Sequence, residues 1–294
     1  MSSVRENFKL EFFVAPRSQR LTTLAQTTIM SRSLPPELLD LIVDHLHDDP
    51  STLLSCCTVS KSWVPRSRWH IFAHVKFDTS RFSLESWMGA FPDPLDSPAH
   101  YTRSLTILDL AIAAATSPDA GCWIRAFHKI DHLHVNTISL NEDDQVSFAP
   151  LHGLLPTVRS LHFDSTYLKS SEVFGLLHSF PLLEDFELNT YSCQGEADEW
   201  RAPLTSPKLT GSLKLHNVVG GMGDIARQLL DLPNGLNFTR MVLACIEEGD
   251  HKAAGDLVLE CSGTLESLDV TNYVLGVSPS TVVPDQYLIA TIRL

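Results

Sequence analysis

The chain of 294 residues is poor in positive charge. It carries 22 Lys and Arg against 35 Asp and Glu, a net −13 with the histidines neutral. A nucleic-acid binder ordinarily gathers a basic patch, so this balance argues against one, and it disfavours an anionic membrane surface too. No apolar run reaches about 18 residues, so no transmembrane helix is expected. The six cysteines form no Cys-x-x-Cys pair. Without a secretory signal they read as reduced, mostly buried thiols of an intracellular protein, in cytoplasm or nucleus.

Catalytic signatures are missing as well. There is no Gly-x-Ser-x-Gly elbow and no Gly-x-x-x-x-Gly-Lys phosphate loop. Gly220-Gly221-Met222-Gly223 lacks the lysine of a phosphate loop and reads as a flexible turn. The nearest approach to a metal motif is His132-Leu133-His134, with His128 upstream. Alternation puts His132 and His134 on one side of a strand, with Asp109, Asn136, His162 and Asp164 as conceivable neighbours. A zinc site needs four ligands, or three plus water, and thirteen histidines produce such pairs by chance. The expectation is a non-enzyme with no metal and no cofactor.

What is present is concentrated first in residues 34–63, LPPELLDLIVDHLHDDPSTLLSCCTVSKSW. Leu34-Pro35-Pro36-Glu37 is a helix start: proline suits the first turn, and Glu37 sits at the positive end of the helix dipole. Leu38, Leu41, Ile42 and Leu46 then share one face, with Leu39 and Val43 beside it. Asp48-Asp49-Pro50 ends that helix. Asp49 or Ser51 caps a second, with Leu53, Leu54 and Cys57, and Val59 to Trp63 opens a third. A unit of about 30 residues buries too little to be stable alone. Its spare apolar faces must dock on the rest of the chain or on a partner.

This stretch resembles an F-box. The family pattern begins Leu-Pro-x-Glu-Leu-Leu-x-x-Ile-x-x-x-Leu, matched by Leu34, Pro35, Glu37, Leu38, Leu39, Ile42 and Leu46. Its second half is matched by Leu53, Cys56, Val59, Ser60 and Trp63, with the usual basic residue at Lys61. The resemblance implies a three-helix unit that docks on the Skp-type adaptor of a cullin–RING ubiquitin ligase. It implies Leu34, Pro35, Leu38, Ile42, Leu46 and Val59 as the adaptor-facing residues. Trp63 is expected to anchor the unit, at about 3–5 kcal/mol if its ring is fully buried. Residues 1–33 read as a disordered leader, 34–74 as the F-box, and Met30 offers an alternative start.

From residue 75 a different pattern takes over: apolar, any, apolar. It recurs at Val75/Phe77, Leu105/Ile107, Leu133/Val135, Leu161/Phe163, Phe186/Leu188, Leu213/Leu215, Met241/Leu243 and Leu268/Val270. The steps are 30, 28, 28, 25, 27, 28 and 27 residues. That period falls mostly within the range of about 20–29 residues that marks leucine-rich repeats. Leu155-Pro156-Thr157-Val158 and Phe180-Pro181-Leu182-Leu183 resemble the Leu-Pro-x-Leu lead-in of such repeats. Short helices are expected over 171–178, 224–230 and 251–261. The fold class is α/β: a three-helix F-box, then over 75–294 a curved, degenerate leucine-rich-repeat-like solenoid with a parallel sheet, similar to fungal F-box proteins. A generic α/β domain is the other possibility. Ile292-Arg293-Leu294 repeats the strand pattern, so the solenoid is expected to stop inside a repeat without a polar cap.

In such strands the residue between the apolar pair points outward. Thr106, His134, His162, Glu187, Lys214, Val242 and Asp269 would therefore line the concave face, followed by Leu108, Asn136, Asp164, Asn189, His216, Ala244 and Thr271. Of these, Thr106, His134, His162, Glu187, Lys214 and Asp269 are the candidate contacts to a protein client. The implied function is the substrate-recognition subunit of an SCF-type ligase. The alternative is a non-catalytic repeat scaffold that delivers nothing.

Overall fold

In the computed structural model the described residues are 34–78, 83–108, 123–137, 151, 156–194, 207–216, 222–245, 250–272 and 288–293. The expected leader, Met30 and the Gly220-Gly221 turn lie outside them.

Three helices come first: α1 (Pro36–Asp44), α2 (Pro50–Val59) and α3 (Val64–Ile71). Each has a proline in its first turn, where a missing N–H costs nothing. Asp49 caps α2, accepting from the Thr52 N–H at 3.0 Å and from the Thr52 hydroxyl at 2.6 Å. Val43, Leu53 and Cys56 are buried between these helices, apart from the main core.

Among the described residues nine strands follow: β1 (His74–Phe77), β2 (Ser104–Leu108), β3 (His132–Thr137), β4 (Ser160–Lys169), β5 (Asp185–Gln194), β6 (Ser212–His216), β7 (Arg240–Cys245), β8 (Ser267–Asn272) and β9 (Leu288–Arg293). They form one sheet in sequence order. β1 to β8 run parallel, so each of them starts from the same end of the sheet. The register aligns Val75, Leu105, Leu133, Leu161, Phe186, Leu213, Met241 and Leu268 across the sheet. These are the first members of the recurring apolar pairs, and all are buried. The 25-residue step between Leu161 and Phe186 is absorbed in the connection, and the pairing does not shift.

Each turn is tied to the next through one carbonyl. Ala73 O accepts from the N–H groups of Arg103 and Ser104, Arg103 O from Asp131 and His132, and Asp131 O from Arg159 and Ser160. Arg159, Gly211 and Thr239 repeat the arrangement. At Glu184 it breaks: the carbonyl takes only the Gly211 N–H, and Ser212 N donates instead to Asp185 Oδ1 at 2.6 Å. That detour brings Asp185 Oδ1 to where a side chain at 211 would stand, which is why glycine occupies the position.

Behind the sheet, helices Ser170–His178, Met222–Leu230 and Asp250–Glu260 bury Phe174 and Leu177, Ile225 and Leu229, and Leu257 against the strand residues. The first end is closed by aromatics. Trp87, on α4 (Leu84–Ala90), lies 5.8 Å from Phe77, 5.4 Å from Phe127 and 5.9 Å from Phe72. Phe72 directly follows α3, so the helical unit joins the sheet's core through it.

The other end corrects an expectation. Residues 288–293 do form a strand, but β9 runs antiparallel to β8, pairing Leu268 with Ile292 and Val270 with Ala290. It is not a further copy of the preceding units, because it runs in the opposite direction to them. Phe163 is fully buried in the core. Phe163→Ala should cost about 3–5 kcal/mol in urea unfolding. A loss below about 1 kcal/mol would contradict the inward orientation of these pairs.

Candidate functional site

Two surfaces carry the residues singled out from sequence. The first is the outer face of α1. Val43 turns inward, which leaves the 38/41/42 stripe in solvent: Leu38 is 46% exposed, Leu41 55% and Ile42 42%. Leu34 and Pro35 before them are exposed, and Val59, at the end of α2, is 66% exposed. Leu46 is half-buried. Of the six expected adaptor-facing residues, five are thus exposed and Leu46 is half-buried.

A polar clamp ties the last turn of α1 to α3. Asp44, in the last turn of α1, receives a bidentate pair from Arg66 of α3, Nε at 2.5 Å and Nη2 at 2.7 Å, and lies 2.8 Å from His70 Nε2. The Arg66 guanidinium also lies 4.5 Å over the Trp69 ring. The Arg66 hydrogen bonds, helped by His70 and working against partial burial, hold the Asp44 carboxyl down at about 2. Sequence reading missed this clamp, although Arg66 and His70 at i, i+4 were a visible cue. Trp63 at the start of α3 is only half-buried. The cost of Trp63→Ala therefore falls below the range expected of a fully buried ring.

No family model and no curated protein matches the chain. What it can do is therefore argued from its own side chains.

The second surface is the outward face of the sheet. Thr106, His134, His162, Glu187, Lys214, Val242 and Asp269 are brought side by side by the register, and all are half-buried. Glu187 is the hub. Lys214 Nζ lies 2.8 Å from its Oε2, with His162 Nε2 at 3.6 Å and His216 Nε2 at 4.0 Å from Oε1. Burial works to raise the Glu187 pKa, and the Lys214 hydrogen bond and nearby charges outweigh it, so the carboxyl titrates below its ordinary value. The His134 and His162 rings stack at 4.2 Å, tilted by only 5°. In the next row Asp164 accepts from Asn136 Nδ2 at 3.1 Å and Asn189 Nδ2 at 3.2 Å. Ala244, expected outward in that row, is buried. His132 is exposed while His134 pairs with His162, and no cluster fit for a metal occurs among the described residues. No described helix is long and apolar enough to cross a membrane.

Burial holds three imidazoles below the ordinary 6.5: His134, opposed further by the stacked His162, then His178, and His216. Depressed histidines bind fewer protons folded than unfolded, so their contribution to stability is complete above pH 6.5 and is lost as pH falls toward their folded values. Thermal melts should show a lower Tm at pH 5.5 than at pH 7.5. An equal or higher Tm at pH 5.5 would contradict this. Asp44→Asn should remove the clamp's charge at a cost of about 1–2 kcal/mol, read by urea unfolding at pH 7.

Proposed function

We propose that the chain is the substrate-recognition subunit of an SCF-type cullin–RING ubiquitin ligase. Helices α1 to α3 act as an F-box on the Skp-type adaptor, and the strand-and-helix array acts as a leucine-rich-repeat-like solenoid that holds a protein client. The observation that carries this is the sorting of the F-box-like residues. Val43, Leu53 and Cys56 are spent on the unit's own interior, whereas Leu34, Pro35, Leu38, Ile42 and Val59 remain in water. So large an apolar fraction left uncovered on a unit this small favours a protein partner. Pattern match and exposure are independent facts, and they select the same face.

In this reading the chain supplies no catalytic group. Other subunits transfer ubiquitin, and this one raises the local concentration of the client's lysines. The shared core through Phe72 supports a fixed geometry between adaptor and client surfaces.

The test is capture by purified Skp-type adaptor. Leu38→Glu combined with Ile42→Glu should weaken it on the order of 100-fold or more, since two central apolar contacts are each worth about 2 kcal/mol. Both side chains are exposed, so circular dichroism and Tm should stay near wild type. Unchanged binding by the double variant would mean the interface lies elsewhere. Failure of folded wild type to bind would favour a scaffold that delivers no client.

A further inference from the structure

The outward face of the sheet is not evenly balanced in charge. Its cations lie largely at the margins. Lys76 is on the edge strand β1, two residues before Asp78, and Arg240 is one row below the central one, the row that also holds Asp185. Within the two rows that cross β3 to β8, three carboxylates, Asp164, Glu187 and Asp269, meet a single ammonium, Lys214. Lys214 is committed to Glu187 at 2.8 Å. Asp164 is held by two asparagine amides, which fix its position without cancelling its charge. Asp269 Oδ1 is buried and has no hydrogen-bond partner among the described residues. Burial holds His134 and His216 below the ordinary imidazole value, so they add little positive charge here, and the chain as a whole carries −13 with its histidines counted as neutral. Of the two carboxylates left uncompensated, Asp164 on β4 lies in the middle of the face, where a bound segment would be best desolvated, and Asp269 on β8 lies one strand from the far edge.

Beside Asp164 stands a flat feature, the His134/His162 stack. A guanidinium is suited to both neighbours: its fork pairs with a carboxylate and its plane packs on a ring. Taking the sheet face as the client surface of the function proposed above, we infer that it receives an extended, arginine-bearing cationic segment of the client. One guanidinium sits on Asp164 beside the His134/His162 pair. A further cation lies toward Asp269.

The probe is a phage-displayed library of random peptides panned on the full chain at pH 7.4 and low salt. Enriched peptides are synthesised and their Kd is measured by fluorescence anisotropy. Arginine-rich peptides should dominate. Their affinity should fall at least tenfold with Asp164→Asn and several-fold with Asp269→Asn, and should weaken between 50 and 300 mM salt. Lys76→Gln, at the margin, should leave it unchanged or slightly improved. Enrichment of acidic or apolar peptides, no enrichment at all, or binding within twofold of wild type by both aspartate variants would overturn the inference. Adaptor capture on the same preparations separates the two levels. If it persists while cationic peptides fail, the client chemistry is wrong and the receptor reading stands. If wild type loses it, the receptor reading itself fails.

Discussion

A strand-plus-connection unit of 25 to 30 residues cannot bury its own apolar face, so everything in the sheet depends on one unit stacking on the next in register. Two devices enforce that register. The alternating apolar pair has a wrong side: a slip of one residue would send Leu161 and Phe163 into water and His162 into the core. The paired N–H groups on a shared carbonyl pin each turn to the last, from Ala73 through Thr239. At Glu184 the second of those donors is diverted to a side chain, and the chain accommodates it with glycine at 211. The outward surface is a product of this constraint. Glu187, Lys214 and His162 meet because the apolar residues beside them had to align.

The helical unit obeys the opposite logic. Three buried apolar side chains are a small core, and the unit is supported by polar geometry instead: the Asp49 cap, the Asp44–Arg66–His70 clamp and the anchorage through Phe72. With the clamp at the last turn of α1 and Val43 filling the interior, Leu38, Leu41 and Ile42 stay exposed. Residues that do no internal work, and are costly to leave in water, are well placed to bind. The two proposed surfaces thus arise from different economies, one from side chains left over by a minimal core and the other from the necessary alternation of a strand.

Much of the fold was legible because its signal is periodic. Val75 through Leu268 pair in the register their spacing implies, and the three helices behind the sheet fall within two residues of their expected starts. The apolar stripe on α1 was legible too, although its outward direction was not, since that depended on Val43 rather than Leu38 filling the interior. What escaped had no period. Alternation says which side chains share a face and not which way a strand runs, so the antiparallel direction of β9 was not encoded in it. Ala244 is buried although its position in the alternation faces outward, and Trp87 reaches the core from a segment without repeat character. The Asp44 clamp joins residues 22 and 26 positions apart and needed the helix packing to become visible.

The central claim is that one face of α1 belongs to a partner. Hydrogen–deuterium exchange of the full chain, with and without a saturating Skp-type adaptor, tests it most directly. The account predicts slowed exchange over residues 34–46 and around Val59, with the sheet strands unchanged. Protection confined to the sheet, or no protection on adding adaptor, would contradict it.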